Sequence, residues 1–455
     1  MLDKECVHCF SHNHQYFVVD GNSGSVHLLD ELAYQMIKAI KDGLEFDETA
    51  VINHLSNEYS PRKIKEAFEE ITVLVKENLL FSPDFTEIPK EIDSVVKALC
   101  LNVAHDCNLR CKYCFAQTGD FGGKRELMSY AVAKKAVDFL INASKNRHQL
   151  ELDFFGGEPL LNFEVVKKTV LYGEEQAKKH NKNIRFTITT NGIGLTKAIQ
   201  DFLNEKMYNV VLSIDGRREV NDAVRQTING EGSVHDVIVP KYQEFVKARK
   251  GKQYYVRGTF TKNNLDFCED VLYLAGLGFD QISMEPVVAD SALDYALTEA
   301  ELPTIFHEYH RLADELLEYY QTKKSFNFFH FNVELKKGPC LYKRIAGCGA
   351  GHEYIAVTPT GELYPCHQFI GDEKYKIGDV SQGIIRPELG ERLKHAHVLN
   401  KPTCRKCWAK YYCSGGCHFN NLKYGGSLSD PYLLACEMER KRLECSLYIY
   451  SSLNN

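Results

Sequence analysis

The sequence predicts an α/β fold: a partial (β/α)6 barrel, open on one side, set between a small winged-helix-like domain and a cysteine-rich domain organised by metal. Three observations carry that expectation. From Val95 onward apolar strands alternate with amphipathic helices, the first 83 residues read as a hairpin followed by three short helices, and thiols crowd the region after Leu335. Strand–helix repetition of this kind builds a parallel sheet whose functional loops lie at the C-terminal strand ends.

Taken in order, HNHQYFVVD and SGSVHLL alternate polar and apolar residues around the turn Asp20-Gly21-Asn22, the pattern of a β-hairpin. Leu29, Leu32, Met36, Ile37 and Ile40 recur at helical spacing, Val51, Ile52 and Leu55 mark a second helix, and a third starts at Ser60-Pro61 and carries Ile64, Phe68, Ile71 and Val75. These define a domain over 1–83, and residues 84–94, opening with DFTEIPKE, have the polarity and proline of a linker. The barrel is expected over 95–335, with strands at 97–103, 151–155, 184–189, 210–214, 254–260 and 281–286. Residues 336–455 form the third domain.

With 455 residues, 44% of them hydrophobic and 25% charged, the chain has material for a large core plus one or two smaller domains. A net charge of −6 offers no broad basic field, so nucleic acid is not an expected partner. The opening MLDKECVHCFSHNHQ lacks an apolar signal region and no apolar run is long enough to span a bilayer. No membrane partner is expected, and the expected compartment is the cytoplasm. Of sixteen cysteines, only Cys6, Cys9 and Cys100 precede position 107, whereas seven lie from Cys366 to Cys445. In a reducing compartment such crowding favours metal ligation over disulfides.

Directly after the first barrel strand stands Cys107-Asn-Leu-Arg-Cys111-Lys-Tyr113-Cys114, a C-x3-C-x2-C triplet. Three thiolates on one short loop can hold three corners of a [4Fe–4S] cube and leave the fourth iron open. Tetrahedral zinc is the alternative, but zinc motifs set a C-x2-4-C pair against a distant second pair, and no fourth ligand stands nearby. Phe155-Gly156-Gly157-Glu158-Pro159 closes the second strand, Thr190-Asn191-Gly192 the third and Ser213-Ile-Asp215-Gly216 the fourth, and Arg257 lies on the fifth. Each is weak alone, because such groups commonly make turns and helix caps. Their joint occurrence at successive strand C-termini singles them out.

The triplet resembles the cluster-binding loop of the radical S-adenosylmethionine (SAM) superfamily, and the later strand ends resemble that family's SAM contacts in turn. The resemblance implies that Cys107, Cys111 and Cys114 hold the catalytic cluster, and that Tyr113, Gly156, Gly157, Glu158, Asn191, Ser213, Asp215 and Arg257 bind SAM. Gly156 and Gly157 would let backbone approach the ligand, and Glu158 would accept from the methionyl ammonium. Ser213 and Asp215 would meet the SAM carboxylate and ribose, and Arg257 would clamp the carboxylate bidentately. The chemistry implied is one-electron cleavage of SAM to a 5′-deoxyadenosyl radical that takes hydrogen from an unactivated C–H bond.

After the barrel the spacing is Cys348-x12-Gly361-x4-Cys366, then Cys404-x2-Cys407-x5-Cys413-x3-Cys417, then x18 and Cys436. This is similar to the seven-cysteine signature of SPASM domains, the auxiliary-cluster domains of peptide-modifying radical SAM enzymes. The resemblance implies two further [4Fe–4S] clusters, three in all: one fully ligated by Cys404, Cys407, Cys413 and Cys436, the other held by Cys348, Cys366 and Cys417. Structural zinc remains the alternative for this domain. Cys340 stands eight residues before Cys348 and is a candidate fourth ligand, with an open iron the favoured expectation. An open iron would take a substrate thiolate. Cys445 reads as a free thiol, Cys100 and Cys268 as core residues, and the Cys6-x2-Cys9 pair stays unassigned.

A winged helix most often binds DNA, but the third helix, RKIKEAFEEITVLVKEN, mixes basic with acidic residues. Joined to radical SAM and SPASM domains, the module resembles those that grip the leader of a ribosomally made peptide, which would add as a strand to the hairpin edge. Over its full length, including the opening HCFSHNHQYFVVD, the chain resembles maturases of SCIFF peptides (six cysteines in forty-five residues). That likeness implies thioether formation between cysteine sulfur and a backbone carbon of an acceptor residue. The partners implied are a Cys-rich precursor with its leader and an electron donor such as ferredoxin or flavodoxin. The rivals are a dehydrogenase of the anaerobic sulfatase-maturating type and a non-catalytic, cluster-bearing peptide scaffold.

Overall fold

A computed structural model describes residues 2–84, 94–322, 325–335 and 341–454. Most of the expected linker and Cys340 lie outside the described residues. The chain opens with an antiparallel sheet of β1 (Val7–His12), β2 (Gln15–Asp20) and β3 (Ser25–Leu29) in that spatial order. The expected hairpin is β2–β3, and β1 enlarges it through a two-residue turn at Asn13 and His14, both with positive φ. Three helices follow: α1 (Glu31–Lys41), α2 (Glu48–Leu55) and α3 (Pro61–Lys76). Asp30 and Asp47 cap the first two by accepting from Ala33 N and Ala50 N, and Pro61 opens the third. Met36, Ile37, Ile40, Val51 and Ile64 bury one apolar face of each helix against Val7 and Val18 of the sheet.

The barrel strands are β4 (Ala98–His105), β7 (Gln149–Gly156), β8 (Asn183–Thr190), β9 (Asn209–Ser213), β11 (Gln253–Phe260) and β12 (Gln281–Pro286), parallel neighbours in that order. Their alternation sets two faces. Leu150, Leu152 and Phe154 of β7, and Ile184, Phe186 and Ile188 of β8, are buried under the helices, while Asp153, Phe155 and Thr187 on the opposite face are only partly buried. Among the shorter strands are β5 (Leu109–Cys111), β6 (Glu126–Leu127) and β10 (Arg225–Thr227); β6 pairs with β4, and β5 with β10.

The sheet is longer than six strands. Beyond β12 it takes β13 (Asn327–Phe328), and beyond β4 it takes β14 (Tyr354–Val357), in parallel. Part of the cysteine-rich region therefore continues the barrel sheet. Pairing with β14 satisfies the outer backbone edge of β4. The N-terminal sheet docks on the cysteine-rich region: His8 stacks on Trp408 with centroids 4.3 Å apart and also meets Glu444 at 2.7 Å. His12 meets Asp314 at 2.8 Å. Among the described residues, no helix is long and apolar enough to cross a membrane.

Candidate active site

The thiol loop begins where β4 ends. Asp106 accepts from Cys107 N at 2.8 Å, and β5 then pairs antiparallel with β10, setting Cys111 opposite Arg225. From β8, the Asn191 side chain donates to Asn108 Oδ1 at 2.8 Å and contacts Cys107 Sγ at 3.6 Å, tying the third strand end to the loop. Burial pushes the Cys107 thiol up to about 12 and Cys111 up to about 11; the thiolates of Cys111 and Cys114 also raise Cys107, while Arg225 pulls Cys111 down. Three thiols thus share one neighbourhood in which their joint ionisation requires a compensating cation, a donor set that fits an iron–sulfur cube. Among the described residues no three His, Cys, Asp or Glu side chains converge on a point suited to a single ion.

Gly156 and Gly157 meet a packing demand of the backbone. A Cβ on Gly156 would stand 2.3 Å from the Ala104 carbonyl oxygen, and one on Gly157 2.2 Å from that of Asp106. Glu158 is buried: Oε1 accepts from Leu160 N and Thr190 Oγ1, and Oε2 from Asn191 N at 2.7 Å. It bolts the ends of β7 and β8 together, as a buried carboxylate without a salt-bridge partner must use its oxygens. Asp215 is also fully buried. Its Oδ2 accepts from the Tyr113 hydroxyl at 2.5 Å and its Oδ1 from Thr259 N at 2.9 Å. The Tyr113 hydroxyl also accepts from Arg225 Nη1 at 3.0 Å. Ser213 is partly exposed at the end of β9. The Arg257 side chain is 53% exposed and pairs with Glu285 at 3.1 Å.

The C-terminal cysteines fall into two groups. Cys404, Cys407, Cys413 and Cys436 line one pocket together with Lys410 and Arg440. Burial, and after it Glu439 and the other three cysteines, pushes Cys413 up to about 12. Cys366 is likewise raised to about 12 by burial, then by Cys417 and Cys348, which are themselves exposed. Lys401 is buried between the groups. Its ammonium donates to the Gly415 carbonyl at 2.7 Å, and Cys404, Cys413, Cys417 and Cys436 all act on its charge. A buried ammonium among thiols is compensated once those thiols ionise, which is the state cluster ligation requires.

Several residues escaped the sequence reading. Arg225 is one; it follows Asp215 by ten positions in a polar stretch, and only strand pairing brings it to Cys111. His367, next to Cys366, sits between Phe115 and Phe155, with ring centroids at 5.3 and 5.1 Å. The buried lysines 401 and 410 are others. Cys6 contacts Lys410 at 3.7 Å whereas Cys9 packs in the N-terminal core, so this pair does not act together. Cys100, Cys268 and Cys445 are buried.

Residues 101–239 match the Radical SAM superfamily model. An uncharacterized protein of Methanocaldococcus jannaschii, MJ0907, is 33% identical over 191 residues, 42% of this chain and 62% of that protein; the chain thus spans less than two thirds of its length. The structure of anSMEcpe with bound AdoMet and Kp18Cys peptide superposes with a TM-score of 0.65 at 20% identity, covering 79% of this chain and 99% of that one. Streptococcus suis SuiB bound to precursor peptide SuiA covers 94% of this chain and 98% of its own, at a TM-score of 0.52 and 16% identity. The fold is that of radical SAM proteins, with a mostly parallel central sheet.

Proposed function

We propose that this chain is a radical SAM enzyme that matures a Cys-rich precursor peptide by joining cysteine sulfur to a backbone carbon of an acceptor residue. The observation that carries the reading is the placement of the three-thiol group. Cys366 is followed by His367, whose ring centroid lies 5.3 Å from that of Phe115, the neighbour of Cys114, so the Cys366 end of the three-thiol group packs beside the end of the Cys107–Cys114 loop. Bound at Cys107, Cys111 and Cys114 with SAM, a [4Fe–4S] cluster supplies one-electron cleavage of the sulfonium and a carbon radical able to abstract hydrogen. Cys348, Cys366 and Cys417 would hold a second cluster with a position left for substrate sulfur, and Cys404, Cys407, Cys413 and Cys436 a third, fully ligated one.

The protein's own residues bind, orient and exclude water. Asn191 steadies the thiol loop from β8, and Phe115, Phe155 and His367 form an aromatic wall between the two thiol groups. A substrate thiolate held there would lie close to the carbon that loses hydrogen, the proximity advantage of an intramolecular reaction. The leader would add along the outer edge of β3, which pairs only with β2 among the described residues, near exposed Leu28. The peptide-bound states of anSMEcpe and SuiB support a peptide substrate for this fold.

Anaerobically reconstituted full-length protein, given SAM, a low-potential electron donor and a Cys-rich precursor, is expected to lower the peptide mass by two hydrogens per cross-link. Each cross-linked sulfur should resist alkylation. A loss of two hydrogens that leaves every cysteine alkylatable overturns thioether formation.

A further inference from the structure

The reading above gives Arg225 no task, yet its setting is built. It stands on β10 opposite Cys111. Its residue is 7% exposed, its NH1 donates to the Tyr113 hydroxyl at 3.0 Å, and the Asp215 carboxylate lies at 3.9 Å. Its Nε–H is buried with no hydrogen-bond partner among the described residues. The strand that carries it is anchored by the helix Arg218–Val224, which follows Arg217, itself paired with Asp270 at 2.8 Å; Asn221 of that helix accepts from Asp215 N at 3.2 Å.

Burying a guanidinium is costly unless its charge and donors are matched. Here the match is incomplete within the described protein: Asp215 stands beyond hydrogen-bond distance and has two other donors, and one N–H of Arg225 is idle. The missing counterpart is anionic and lies on the side of Cys111. We propose that Arg225 is a positioning and charge-balancing residue for the thiolate loop, fixing Tyr113 and Asp215 on one side and offsetting the anionic sulfur set of Cys107, Cys111 and Cys114 on the other. The inference rests on the reading that those cysteines hold a [4Fe–4S] cluster.

A fixed cation beside a cluster favours its reduced, more negative form. A unit charge acting across roughly 10 Å at an effective dielectric of about 20 is worth about one factor of ten in an equilibrium constant. Arg225→Gln, which keeps a donor for Tyr113 but removes the charge, should therefore lower the reduced-to-oxidised ratio of the SAM-responsive cluster about tenfold at fixed potential, about 59 mV for one electron.

The measurement is a redox titration of full-length, reconstituted protein followed by electron paramagnetic resonance, with SAM added to identify the responsive signal. Iron per chain is read in parallel. Arg225→Lys keeps the charge and should titrate like the parent, even where Arg225→Gln assembles poorly. A merely structural role would leave the midpoint of Arg225→Gln unchanged, and that result, or an equal shift in Arg225→Lys, overturns the proposal. Absence of any SAM-responsive signal in the parent protein would instead overturn the reading on which it rests.

Discussion

Lys410→Met tests how the N-terminal domain is coupled to the thiol cavity. Lys410 lies between Cys407 and Cys413 and is 1% exposed. Its ammonium donates to Asn22 Oδ1 at 2.5 Å and to the Arg405 carbonyl at 3.0 Å, touches Cys6 Sγ at 3.7 Å and reaches Asp84 at 3.4 Å. Three of these four partners belong to the N-terminal 84 residues. Methionine fills similar volume but leaves Asn22 Oδ1 without its donor and the Arg405 carbonyl with only the weak Cys6 thiol donor at 3.6 Å, at about 1–3 kcal/mol each, while relieving the burial of a charge. Asp84 keeps Arg405 as partner at 2.5 Å. The net loss should be about 2–4 kcal/mol. That corresponds to a fall of roughly 5–10 °C in the melting of the docked unit. Trp408, the chain's single tryptophan, stacks on His8 across this junction and reports undocking by a red-shifted emission in cluster-free protein. A Lys410→Met variant that melts within about 1 °C of the parent, with unshifted emission, would refute the reasoning. By the same contacts, deleting residues 1–83 should disturb the four-thiol cavity as well as leader binding.

Two further outcomes follow from single positions. Gly157→Ala should displace the Asp106 carbonyl and with it the thiol loop, cutting iron bound at Cys107, Cys111 and Cys114 while sparing the C-terminal groups; site-resolved iron loss by Mössbauer spectroscopy checks this. Asp153 is raised to about 6, chiefly by burial and then by Glu151. The folded state therefore holds this proton more tightly than the unfolded one, so stability is greatest below about pH 4 for this group and falls by about 2 kcal/mol as pH rises to about 6. Asp153→Asn should flatten that fall in denaturant melts between those pH values, and an unchanged profile would contradict it.

Much of the fold was legible because its signals are local. Apolar runs of strand length marked the six barrel strands, with period-two burial in β7, β8, β9 and β11 and continuous burial in β4, and helical spacing marked α1 to α3. β1 was missed because the turn Asn13-His14 lacks glycine and depends on two non-glycine residues at positive φ. β14 was missed because parallel edge pairing joins residues more than 250 positions apart and leaves no local pattern.

Local connectivity was enough to bring Cys107, Cys111 and Cys114, or Cys404, Cys407 and Cys413, into proximity on short loops. The sequence by itself also determined the alternation that makes a parallel sheet. The partners of the buried polar groups came from the folded chain: Glu158 and Asp215 are tied to Asn191, Thr190, Tyr113 and Thr259, and Arg225, Lys401 and Lys410 emerge beside the thiols. The physical reason is that burial obliges each polar group to find a partner, and those partners come from strands and loops far apart in the chain, where neither spacing nor composition records the pairing.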